Sequence, residues 1–158
     1  MTWAYTQGDL EAAARVAAST HNLEYSLVAA VIEQESNWHP WALRYEPAFY
    51  LRYIVPLKLS PTEGHSRSFS WGLMQVMGQV ARELGYNGDF PRLCEPSVGL
   101  EWGCLHLAKK IKAHSGNLVE SLLAWNGGAN LSYPDEVMAR MVRYPAQVIS
   151  DADLSTQV

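Results

Sequence analysis

An unbroken apolar run, Leu27-Val28-Ala29-Ala30-Val31-Ile32, leads directly into Glu33-Gln34-Glu35-Ser36-Asn37. A run of this kind reads as a core helix, and the rest of the chain must supply its cover. At helical spacing Val28, Val31 and Ile32 share a face with Glu35, while Glu33 points roughly the other way. A carboxyl on the apolar face of a core helix is expensive to ionise. Desolvation raises its pKa, and a carboxyl still protonated near neutral pH can serve as a general acid. The same position also admits a plainer reading, a helix-end carboxylate that turns to solvent or pairs with an arginine.

What surrounds this helix is bounded by composition. A chain of 158 residues is one domain by size and can bury a single good core. Its 48% hydrophobic and 18% charged content belongs to a compact globular protein rather than a disordered one. A net charge of −4 argues against general nucleic-acid binding, which needs a basic face. No apolar run approaches the ~18 residues of a membrane span. Met1-Thr2-Trp3-Ala4-Tyr5 has no basic region followed by an apolar core, so no secretory signal is expected in this chain. Cys94 and Cys104 are accordingly expected as free thiols, and their spacing fits no metal site. The five histidines are scattered. Glu35-x3-His39 with Pro40 following is no zinc helix, so neither a metal nor a cofactor is expected. No Gly-rich phosphate loop and no Gly-x-Ser-x-Gly elbow is present. Six tryptophans and eight tyrosines either fill the core or make platforms on which sugars stack.

Taken in order, the periodicity predicts a helix from Asp9 to about His21, with Asp9 as its cap, and a second from Glu24 or Ser26 to Ser36. A short helix is expected after Pro47. Val55 to Ser68 reads as a loop or small β excursion, and Ser70 to Gly85 as a helix opened by Ser70-Trp71-Gly72. Tyr86 to Glu95 reads as loop, Pro96 to His114 as a long helix, Asn117 to Asn126 as another, and a last helix starts near Pro134. Residues 1–150 form the domain on this reading and residues 151–158 a flexible tail. The fold class is mainly α.

Three stretches also fall in order along the chain: Glu35-Ser36, Ser70-Trp71-Gly72-Leu73-Met74-Gln75, and Ala124-Trp125-Asn126-Gly127-Gly128. In this the sequence resembles the soluble lytic transglycosylases, with their relatives the goose-type lysozymes and phage peptidoglycan-cleaving domains. Those proteins carry a Glu-Ser at a helix end, a Gly-Leu-Met-Gln block and an Ala-Tyr-Asn-x-Gly block. Pro96 to Gly103 is similar to the family's intervening segment, so the resemblance covers roughly residues 10–145. It implies a lysozyme-like, single-domain, mainly α fold that acts as a monomer on the glycan strands of the cell wall, in the periplasm or delivered by a phage. By resemblance Glu35 protonates the leaving oxygen of the MurNAc–GlcNAc bond. It then takes the proton of the muramic C6 hydroxyl, giving a 1,6-anhydro end without water. Assistance from the substrate's N-acetyl group can stand in for a second protein carboxylate. Ser36, Ser70, Gly72, Met74, Gln75, Trp125 and Asn126 are carried over as substrate-binding positions. Gly72 would let a glycan approach the backbone closely. Met74 could equally be core, and Asn126 an ordinary helix-stop residue.

The sequence departs from the family pattern in places. Trp125 stands where the family has a tyrosine, and an indole offers one N–H but cannot accept, so the polar partner of Glu35 is left open. Met77 stands where goose-type lysozymes carry an aspartate, and Glu136 only loosely echoes a C-terminal glutamate-and-tyrosine pattern. Arg44-Tyr45-Glu46-Pro47 is similar to a stretch in phage-type muramidase domains, which makes Glu46 a second catalytic candidate. If Glu46 faced Glu35 and held a water, the enzyme would be a hydrolase. Otherwise Glu46 is a helix-start carboxylate or a partner of Arg44 or Arg52. A degenerate glycan-binding or structural module is the alternative of a different class.

Overall fold

The run Leu27–Ile32 is buried along its whole length in the computed structural model, which describes residues 5–145. It lies in helix α2 (Tyr25–Ser36), a helix with no polar stripe through its middle because the chain wraps it on every side. Burying each Val, Leu or Ile side chain contributes roughly 1.5–3 kcal/mol, so this helix anchors the core. Helix α1 (Gln7–Thr20) packs against it and against the long α6 (Pro96–Ala113), while the last helix, α8 (Tyr133–Met141), lies along α2. Helix α7 (Leu118–Trp125) bridges α6 and α8. The protein is a single mainly α domain with one small sheet.

The cap of α1 is Thr6 rather than Asp9. Thr6 Oγ1 accepts from the Asp9 N–H at 3.2 Å and the Thr6 N–H donates to Asp9 Oδ2 at 2.8 Å, a reciprocal box that places Asp9 three residues inside the helix. Asn117 caps α7, accepting from the Glu120 N–H at 3.1 Å. Helix α2 ends at Asn37, which with Trp38 forms two successive left-handed residues, φ 49° and 62°.

The sheet differs most from the sequence reading. Strands β1 (Leu43–Tyr45), β2 (Phe69–Trp71) and β3 (Val76–Met77) run antiparallel in that order, with Arg44 opposite Ser70 and Ser70 opposite Met77. Ser70-Trp71-Gly72 therefore ends a strand instead of opening a helix. The reason is local: Gly72 at φ +69° and Gln75 at φ +48° are left-handed, and two such residues within four make a turn, not a helix. Helix α5 begins after it, at Gly78–Glu83. Between β1 and β2 the chain forms α3 (Pro47–Phe49), a π-helical turn (Tyr50–Ile54), a 3-10 turn (Val55–Leu57) and helix α4 (Pro61–Arg67). The stretch expected as loop thus contains a helix, with proline at its first turn and Glu63 held by both Arg67 and Arg82, each at 2.9 Å. A 3-10 turn, Phe90–Cys94, interrupts the loop before α6. The tail expected from Asp151 lies outside the described residues.

Candidate active site

Five of the sequence-derived site residues, Glu35, Ser70, Gln75, Trp125 and Asn126, line one cleft of about 560 Å³. Its floor is the end of α2, one wall is the small sheet with α5, and the other is α6 and α7 with the loop that follows, Asn126 to Asn130. Tyr133 at the start of α8 closes the back.

Glu35 stands at the meeting point of these elements. Its Oε1 accepts from Trp125 Nε1 at 2.9 Å and from the Tyr133 hydroxyl at 2.5 Å. Tyr133 is the residue that sequence reasoning missed. An aromatic residue immediately before a helix-opening proline, just after a glycine turn, was the available signal. Burial, together with the negative charge of Glu35 and the hydrogen bond to it, pushes the Tyr133 phenol far above the ordinary tyrosine range, so it stays protonated and donates. Ser36 does not line the cleft. Its Oγ donates to the carbonyl of Leu73 at 2.8 Å, with the Ile32 carbonyl at 3.2 Å, and so ties the end of α2 to the β2–β3 turn.

That turn is held by three more hydrogen bonds, two of them to Ala42. The Gln75 amide donates to the carbonyls of Ala42 at 3.1 Å and Gly72 at 3.0 Å, and the Gly72 N–H donates to Ala42 O at 2.8 Å. Gly72 faces the protein interior rather than the cleft, since a Cβ there would lie 2.4 Å from the carbonyl oxygen of Leu93. Met74 is fully buried against Gly103 of α6, where a Cβ would come within 2.5 Å of its sulfur. Both residues shape the cleft from behind.

Glu46 also stays off the lining. Its carboxylate binds Arg44 Nε at 2.5 Å, and Arg44 is the member of the pair that reaches the cleft. The other carboxylate on the lining, Glu83, is exposed at the rim of α5 and accepts from Gln79 at 2.8 Å. Asn126 faces the cleft and donates to the Asn130 carbonyl at 3.0 Å, closing its own turn rather than reaching Glu35. Asn130 and Gln34 in turn donate to the two oxygens of Glu136, at 3.2 and 2.7 Å, joining this loop to α2 and α8. His106 on α6 lies against the Trp125 ring, centroids 5.1 Å apart. Burial, with Lys110 and Lys109 adding to it, lowers its pKa to about 4, so the imidazole is neutral at ordinary pH. No group of three or more potential metal-binding side chains occurs among the described residues. Among the same residues no helix is long and apolar enough to cross a membrane.

One carboxyl held by an indole and a phenol inside an open cleft can deliver a proton to a bound molecule and take one back. The family described as Transglycosylase SLT domain matches residues 12–133, a span that contains Glu35, the Ser70–Gln75 turn, Trp125, Asn126 and Tyr133. No solved structure matches the chain. A match over well over half of the sequence settles the family, and the chain belongs to the transglycosylase SLT domain family of lytic transglycosylase-type proteins, which act on peptidoglycan of the cell wall.

Proposed function

We propose that the protein cleaves the β-1,4 bond between MurNAc and GlcNAc as a lytic transglycosylase, with Glu35 as both acid and base. The observation that carries this reading is the division of the carboxylates. Glu35 is fixed by donors deep in the cleft, while Glu46 is tied to Arg44 off the lining. A hydrolase that relied on Glu46 would need it facing the substrate to hold a water.

The steps balance without water. The Glu35 proton passes to the glycosidic oxygen as the C1–O bond breaks, and the N-acetyl group of the substrate shields the developing positive charge. The muramic C6 oxygen then bonds to C1, its proton returns to Glu35, and the enzyme is restored. Ser70, Gln75, Trp125 and Asn126 line the path of the glycan strand, with the Trp125 ring as its stacking surface. The protein works as a monomer on cell wall reached from the periplasm or by phage delivery.

The test is a digest of purified peptidoglycan by wild type, Glu35→Gln and Glu46→Gln, with products identified by mass. Wild type should release 1,6-anhydro muropeptides. Glu35→Gln should lose ~10²–10⁴-fold in turnover while keeping its fold, and Glu46→Gln should lose much less. Reducing-end products with an equal collapse in Glu46→Gln would establish a muramidase instead, and no cleavage at all a binding module.

A further inference from the structure

Glu35 has two carboxyl oxygens, and the protein's own donors occupy only one of them. Trp125 from α7 and Tyr133 from α8 both donate to Oε1. Among the described residues no hydrogen-bond donor reaches Oε2. We propose that Tyr133 is the positioning residue of this active site: together with Trp125 it saturates Oε1 and leaves Oε2 as the oxygen that carries the proton into the cleft. This rests on Glu35 being the acid of the reaction proposed above.

The chemistry of the two donors makes the arrangement directional. The terminal torsion of a glutamate is broad, so one hydrogen bond leaves the carboxyl plane free to swing. Donors from two different helices, converging on one atom, remove that freedom. An indole N–H can donate but cannot accept. A proton on Oε1 would therefore face the Trp125 N–H with no acceptor there, whereas a proton on Oε2 leaves both hydrogen bonds intact. Tyr133 is only 5% exposed and does not dissociate at working pH, so its own proton takes no part in the transfer. The O–H bond that breaks as the leaving oxygen is protonated, and that re-forms as the C6 hydroxyl gives up its proton, is thus the one to Oε2. Trp125 leaves the carboxyl without a hydroxyl partner from α7, and α8 supplies that hydroxyl.

Tyr133→Phe removes the hydroxyl and keeps the ring that fills the back of the cleft. Total bond cleavage in peptidoglycan, whatever the product ends, should fall about ten- to a hundredfold in kcat, the effect of losing one hydrogen bond to a charged group, with KM within about threefold. A second reading needs no activity. With glutamate labelled at its side-chain carboxyl carbon, and the Glu35 signal assigned by its loss in Glu35→Gln, Tyr133→Phe should shift that signal more than any other glutamate's. A kcat within about twofold of wild type, or an unmoved Glu35 signal, overturns the proposal. Reducing ends from the wild type would overturn the transglycosylase reading alone, because both measurements on Tyr133→Phe are scored without reference to the product ends.

Discussion

Gly72→Ala tests whether the glycine of the β2–β3 turn serves the fold or the substrate. Its φ of +69° is left-handed, which costs a residue with a Cβ roughly 1–2 kcal/mol. The new methyl would also lie 2.4 Å from the Leu93 carbonyl oxygen and 3.3 Å from Cys94 Cα. That carbonyl has little room to retreat. A Cβ at Gly99 of α6 would lie 2.2 Å from the same oxygen, so the two glycines flank it, and Leu93 itself is fully buried. Forcing an extra methyl into such a site typically costs about 1–3 kcal/mol more. The narrower unfolded ensemble of alanine works the other way and offsets ~0.4–1 kcal/mol of this loss. The net loss should therefore be about 1–4.5 kcal/mol, visible as a lower urea midpoint at unchanged slope. Gly116→Ala is the matched control. It also sits at positive φ, +82°, but a Cβ there meets nothing within 4 Å, so it should show the backbone contribution alone. If Gly72→Ala proves no less stable than Gly116→Ala and instead weakens glycan binding, the packing argument fails and close approach of the substrate is the better reason for the glycine.

Two further outcomes follow from the buried titratable groups. His106 is neutral in the fold down to about pH 4 whereas the unfolded imidazole takes a proton near 6.5; the unfolded state binds more protons between those values, so stability should fall as pH drops through this window, by up to roughly 3 kcal/mol, and the non-titrating His106→Gln should flatten that part of a thermal-melt profile. Cys94 and Cys104 are both free and buried, and burial pushes the Cys104 thiol up to about 12, so a thiol reagent should count two groups only after denaturation and the unmodified native protein should react slowly; two fast-reacting thiols in the native state would refute this.

The helices were legible because their apolar spacing is set by burial, and α2, α6 and α7 follow it closely. The small sheet was not. Its strands are two or three residues long, too short for alternation to register, and the turn between β2 and β3 is written in two left-handed residues of which only one is glycine. Helix α4 was hidden for a different reason: its seven residues include a proline, a glycine and two serines or threonines, and what holds it is Glu63 bridging Arg67 and the distant Arg82. At the site, local motifs picked out residues that touch the cleft and residues that build it without distinguishing the two. Glu35 lines the cleft, while the Ser36 beside it is a brace to the turn.

That mixture has a physical origin in how the carboxyl is held. Glu35 is held in one orientation at the floor of an open cleft, and α2 alone cannot give it one, because the helix ends one residue later in a left-handed turn. Orientation comes from α7 through Trp125, from α8 through Tyr133, and from the β2–β3 turn through Ser36 and Leu73. Those elements need braces of their own. Glu136 joins α8 to Gln34 and to the loop after α7. On the far side of α2, the Tyr144 hydroxyl donates to Glu33 at 2.6 Å and accepts from Trp38 at 2.9 Å. Glu33 and Glu35, on opposite faces of the same helix end, thus divide the work: one is spent on clamping the C-terminal segment to α2, and this holds the helix that presents Tyr133 to the other.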